Sequence, residues 1–165
     1  MNPFETSYQN IVQLLEAWEP RLLALSEDVI SQRTNSQNRS IRQILGHLVD
    51  SASNNTHRIV HLQYRENPMT FPNYATEGNN DRWIAIQDYQ HEEWHNLVKL
   101  WRYTNLHLVH IVRHVDLSKL ENQWISSETK LISLRENIEF YPQHFDLHLA
   151  EMEELIINKK RNTVV

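Results

Sequence analysis

The sequence contains no cysteine and only two glycines, Gly46 and Gly78, in 165 residues. Without cysteine the chain has no disulfide framework, no thiolate nucleophile and no zinc ribbon. Phosphate-binding glycine loops and dinucleotide fingerprints need several glycines close together, so both are excluded. Any thiol nucleophile therefore has to come from a cosubstrate.

An excess of positive charge and long apolar runs are also lacking. The formal net charge is −5, which argues against nucleic-acid binding, since contact with phosphates needs a basic face. No apolar run approaches the ~20 residues that span a bilayer, and the N-terminus shows no secretion signal. We therefore expect a cytoplasmic protein that binds neither nucleic acid nor membranes.

Helical periodicity dominates the sequence, and strand alternation is nearly absent, so the predicted fold class is all-α. The length fits a single domain, residues 1–165. Four long amphipathic segments predict a four-helix bundle. Their approximate bounds are residues 4–25, 40–66, 83–115 and 133–158.

Two capping boxes mark where the second and the last helix begin. They are Ser40 with Gln43, and Ser133 with Glu136. A long irregular segment, residues 67–82, separates the second helix from the third, and loops of that length are often functional. A connector follows at residues 116–130, where we expect Trp124 to lie against the core. Pro142 must either kink the last helix or begin a new one.

Histidine is unusually frequent, with ten residues. Helical phase places one of them on a polar strip beside the apolar stripe of the second helix. This strip consists of His47, Ser51, Asn54 and Arg58. It is either a solvated helix edge or a seam that faces a cleft between helices. On the last helix, His144 and His148 lie one turn apart on the same side.

Two neutral imidazoles one turn apart can chelate one cation. If His47 joins His144 and His148, three imidazoles hold one divalent transition metal and leave positions for water or substrate. Water activation would make the protein a hydrolase, and a bound thiolate would make it a transferase, in either case acting on a small molecule.

Residues near this predicted site are candidates for contact with the ligands or the substrate. They are Asp50, Asn54 and Arg58. Asp50 is placed to orient a ligand imidazole, and Arg58 to bind a substrate carboxylate. The catalytic group itself is not identified by the sequence.

Two alternatives stay open. The segment from His91 through Glu92 to His95 matches the H-E-x-x-H pattern of zinc hydrolases. However, helical phase turns His95 towards solvent, and chance occurrence is the preferred explanation. The second alternative is a non-catalytic bundle whose histidines serve packing or a dimer seam, with exposed apolar residues on the third helix. Those residues are Tyr103, Leu106 and Ile111.

Residues 40–52 and 143–149, together with residues 71–101 between them, resemble the DinB/YfiT-like superfamily, whose members are described as metalloenzymes. The resemblance covers essentially the whole chain. It implies a four-helix bundle in which His47, His144 and His148 hold one nickel or zinc ion. It also implies a homodimer and, as in several members, a low-molecular-weight thiol as cosubstrate.

Overall fold

The computed structural model describes residues 2–75 and 78–157. These residues form six α-helices: α1 (Glu5–Leu23), α2 (Glu27–Gln32), α3 (Ile41–Leu62), α4 (Asn79–Gln87), α5 (Trp94–Arg113) and α6 (Leu134–Ile157). The four long helices surround one continuous core, in which α3 packs against α5 and α6, and α1 packs against α5. The predicted all-α four-helix bundle is confirmed.

Both predicted capping boxes are present. The Ser40 hydroxyl accepts from the Gln43 backbone N–H, and the Gln43 side chain accepts from the Ser40 N–H. At the start of α6, Ser133 and Glu136 exchange the equivalent bonds at 3.1 and 2.7 Å. These reciprocal bonds satisfy backbone donors that a helix start otherwise leaves unpaired.

The last helix runs without a new start at Pro142, which lies inside α6. Its predicted end at Asn158 lies outside the described residues. Trp101 of α5 stacks on Phe145 of α6 with ring centroids 6.0 Å apart. The packing of α6 against the core is therefore fixed close to the His144–His148 turn.

The single third helix predicted over residues 83–115 is wrong. The chain instead forms α4, a 3₁₀ turn at Tyr89–His91, and α5. Asp88 takes a left-handed conformation with φ 53° and ends α4. The Glu93 carboxylate then begins α5, because it accepts from the backbone N–H groups of His95 and Asn96.

Three short strands, which the sequence analysis did not predict, accompany the helices. A small sheet is formed by β1 (Met69–Thr70), β2 (Gln123–Ser127) and β3 (Lys130–Ser133). Strand β2 is central, with β1 parallel and β3 antiparallel to it. Trp124 of β2 is buried in the core, as predicted for this connector.

Within the described ranges, none of the helices combines the length and the apolar character needed to cross a membrane.

Candidate metal centre

Three histidine rings from two helices meet at one place in the bundle. The ring centroid of His47 lies 5.2 Å from that of His144 and 4.6 Å from that of His148. The centroids of His144 and His148 are 4.5 Å apart, and each pair of rings is steeply inclined. One ligand nitrogen from each ring lies within 4.8 Å of the other two. The described residues contain no other cluster of this kind.

Burial keeps these rings neutral. It lowers the pKa of His47 to about 2 and the pKa of His144 to about 4, with the neighbouring rings adding to the effect. Burial also lowers the pKa of His148. A neutral imidazole has a free lone pair on one nitrogen, which is the form that binds a metal.

Hydrogen bonds at Nδ1 orient two of the three rings. Nδ1 of His148 donates to the Glu151 carboxylate at 2.9 Å, so the lone pair of this ring is on Nε2. Nδ1 of His47 lies 2.5 Å from the Tyr74 hydroxyl oxygen. Partners of this kind fix ring orientation at metal sites, and a carboxylate partner also raises the basicity of the ligand.

Sequence reasoning missed the roles of Glu151 and Tyr74. Glu151 follows His148 by three residues on the same helix, and this spacing places the two side chains side by side. A scan for acidic residues three or four positions from each histidine would have found it. Tyr74 lies in the irregular segment between α3 and α4, where no periodicity indicates which helix it contacts.

The histidines line a cavity of about 540 Å³. The polar strip of α3 faces this cavity, and its four residues are at most 9% exposed. The cleft-facing interpretation is therefore confirmed, and the solvated-edge alternative is wrong. Larger apolar side chains complete the walls: Trp124, Ile132, Phe140, Tyr141 and Leu147.

The candidates near the site have different positions. Asn54 and Arg58 line the cavity. Asp50 does not orient a ligand imidazole as predicted, because its carboxylate accepts hydrogen bonds from the Tyr89 hydroxyl and the Gln87 amide, both at 2.6 Å. Its other oxygen is buried and has no hydrogen-bond partner among the described residues.

The H-E-x-x-H alternative is not supported by the geometry. His91 ends a 3₁₀ turn, whereas His95 lies in the first turn of α5, so the motif is not on one helix. Both histidines are exposed, and each contacts a neighbouring acidic side chain, Asp88 or Glu93. They do not belong to the three-residue cluster found in the described part of the chain.

Fold and site together define a four-helix bundle in which a three-histidine cluster from α3 and α6 lines a cavity. No protein-family model matches the sequence, and no curated protein matches it. Among solved structures, the chain is similar to YfiT from Bacillus subtilis, described as a probable metal-dependent hydrolase with an unusual four-helix bundle topology. The TM-score is 0.72 at 18% sequence identity, over 90% of this chain and 85% of that chain. The chain therefore has the YfiT-like fold that the sequence resemblance implied.

Proposed function

We propose that the protein is a metal-dependent hydrolase of a small molecule, with one divalent ion held by His47, His144 and His148. The convergence of these three neutral imidazoles supports the proposal most strongly. Imidazole nitrogens suit zinc and nickel alike, so the donor set fits either ion. The description of YfiT as a probable metal-dependent hydrolase agrees with this chemistry.

The residues around the cluster have separate tasks in this proposal. A divalent ion supplies positive charge that acidifies a water or thiol bound to it. Glu151 holds the proton on Nδ1 of His148, and Tyr74 fixes the ring of His47. Trp124 and Tyr141 give the cavity buried apolar walls, from which a bound substrate would displace water and so strengthen electrostatic interactions inside the cavity.

Thiol transfer at the same site is the second candidate. The chain contains no cysteine, so the thiol would be a low-molecular-weight cosubstrate. A cavity of about 540 Å³ is of the size that accommodates drug-sized ligands. Product formation that requires an added thiol would distinguish transfer from hydrolysis.

Metal content tests the assignment directly. We expect the purified wild type to bind about one equivalent of zinc or nickel, measured by plasma mass spectrometry after dialysis. His148→Ala should lose most of this metal, because two imidazoles remain. His110→Ala is the matched control, since His110 is exposed on α5. Stoichiometric metal in the triple alanine variant at positions 47, 144 and 148 would contradict the proposal.

The remaining partner assignments stay proposals. We propose a small-molecule substrate, no nucleic acid and a homodimer. Of the three residues predicted to be exposed at a dimer seam, only Tyr103 is exposed, at 59%. Leu106 and Ile111 are half-buried against the core, so they offer less surface for a seam than the sequence indicated. A cytoplasmic location likewise stays a prediction.

A further inference from the structure

Arg58 is a buried cation for which the described residues provide no counter-charge. It is 8% exposed, and no carboxylate among the described residues forms an ion pair with it. Its Nη1 donates to the side-chain oxygens of Asn55 and Asn137, at 3.4 and 3.1 Å. Its Nε is buried and has no hydrogen-bond partner in the part of the chain that the structure describes. The guanidinium carbon lies 4.0 Å from the centroid of the Trp124 ring.

The guanidinium remains charged in this environment. Burial lowers the pKa of Arg58 to about 10, which is well above neutral pH. An ionised group away from water is costly unless a partner compensates for it. The two asparagine oxygens and the rings of Trp124 and Phe71, the latter with its centroid 5.6 Å from the guanidinium carbon, supply only partial compensation, because none of them carries a full negative charge.

Other charges around the cavity have partners. Arg39 pairs with Asp81 at 2.5 Å, and Glu151 accepts from His148. These two contacts account for one cation and one anion of the lining.

The lining contains two further charged residues, Glu136 and Lys130. Hydrogen bonds from Ser133, and then the charge of Lys130, lower the pKa of Glu136. Glu136 is therefore engaged at the start of α6 and does not compensate Arg58. Lys130 is exposed to solvent, so among the described lining residues Arg58 is the buried cation for which the chain supplies no anion.

We propose that Arg58 is an anion subsite and that the substrate is a small carboxylate. One uncompensated guanidinium matches the single negative charge of a carboxylate, and a charge-assisted hydrogen bond between them is strong. The location of the reacting end at the histidine cluster rests on the proposed function; the anion subsite itself does not.

The helix geometry sets the length of such a substrate. Arg58 contacts Asn137, which lies seven residues before His144 on α6. Seven residues of α-helix rise by roughly 10 Å. On α3, Arg58 lies eleven residues after His47, a rise of roughly 16 Å. The carboxylate should therefore lie roughly 10–16 Å from the group that reaches the histidines, and an acyl chain of about eight carbons corresponds to the shorter limit.

Two probes of equal length test the subsite in the zinc-loaded protein. They are 8-mercaptooctanoate and 8-mercaptooctan-1-ol, which share a zinc-binding thiol and differ in the distal group. Titration calorimetry of the wild type should give tighter binding of the carboxylate, by roughly tenfold to a hundredfold. Equal affinities in the wild type would overturn the proposal, whatever the variants do.

Arg58→Gln should abolish this preference, while the affinity for the alcohol stays unchanged. Arg58→Lys, which keeps the charge, should retain part of it. The matched control is Arg135→Gln, because Arg135 pairs with Glu121 and does not line the cavity. If Arg135→Gln loses the preference to the same extent, the effect reflects overall charge and the subsite is rejected.

A metal-free measurement separates this inference from the proposed function. Octanoate should raise the melting midpoint of the chelator-treated wild type more than octan-1-ol does, and Arg58→Gln should lose this difference. If zinc does not bind, the metal proposal fails while this comparison still decides the role of Arg58. Equal effects of octanoate on the wild type and on Arg58→Gln would reject the subsite.

Discussion

The Glu151 carboxylate accepts hydrogen bonds from Nδ1 of His148 and from the Asn35 amide. Glu151→Gln should weaken metal affinity by about 10- to 100-fold, the usual effect of removing such a partner. Competition with a chromophoric chelator would measure this. Glu154→Gln serves as the control, because Glu154 is exposed and lies about one helical turn after Glu151 on α6. Equal metal affinity in both variants would contradict the role given to Glu151.

The buried carboxyl of Asp50 should make the stability of the fold depend on pH. Burial raises its pKa, although hydrogen bonds from Tyr89 and Gln87 oppose the shift. A carboxyl with a raised folded-state pKa stabilises the fold fully below its unfolded pKa of about 3.9, and this contribution is lost as the pH rises through the folded value. The ionised carboxylate is thus the less stable form in the fold.

Asp50→Asn removes this titration. Its free energy of unfolding should therefore rise relative to the wild type as the pH increases from about 4 to 7, by about 1.4 kcal/mol for each unit of raised pKa. Urea denaturation of the metal-free proteins at several pH values measures the difference. Asp28→Asn makes the same chemical change on the surface and controls for net charge. A difference that does not vary with pH would show that Asp50 does not titrate as described.

At the scale of elements, helix α3 contains a glycine in its interior because the Tyr89 ring lies directly on it. A Cβ at position 46 would come within 2.2 Å of ring atoms of Tyr89. Gly46→Ala should destabilise the fold by about 1–3 kcal/mol, the usual effect of overpacking. In a Tyr89→Ala background, the same change should instead stabilise by up to about 1 kcal/mol through helix propensity. Urea denaturation measures both changes in the free energy of unfolding. If Gly46→Ala has the same effect in both backgrounds, the Tyr89 ring is not what excludes a side chain at position 46.

The helix boundaries show which structural features can be predicted from local sequence patterns. The starts of α3 and α6 were predictable because a capping box is a local pattern of two residues three positions apart. The interruption between α4 and α5 was not, because Tyr89 inside it and Ile84 and Trp94 on either side of it are all buried. Apolar periodicity therefore continues across residues at which the backbone leaves the helix.

For the molecule as a whole, the site depends on contacts between distant segments. Spacing along one helix was enough to pair His144 with His148, and helical phase limited His47 to a flank of α3. That this flank meets α6 follows from packing of the two helices, for which the family resemblance supplied the arrangement. The contact of Tyr74 with His47, 27 residues apart, corresponds to no local pattern.

A metal held by two helices should stabilise the entire bundle, because a ligand that binds only the folded chain shifts the unfolding equilibrium by mass action. With free zinc a hundredfold above its dissociation constant, the gain is about 2.7 kcal/mol. For a chain of this length that corresponds to a rise of roughly 5–10 °C in the melting midpoint. Calorimetric scans with zinc and with chelator measure it, and the triple alanine variant at positions 47, 144 and 148 should melt at one temperature in both. A wild type indifferent to chelator would instead favour the non-catalytic bundle, in which the histidines serve packing alone.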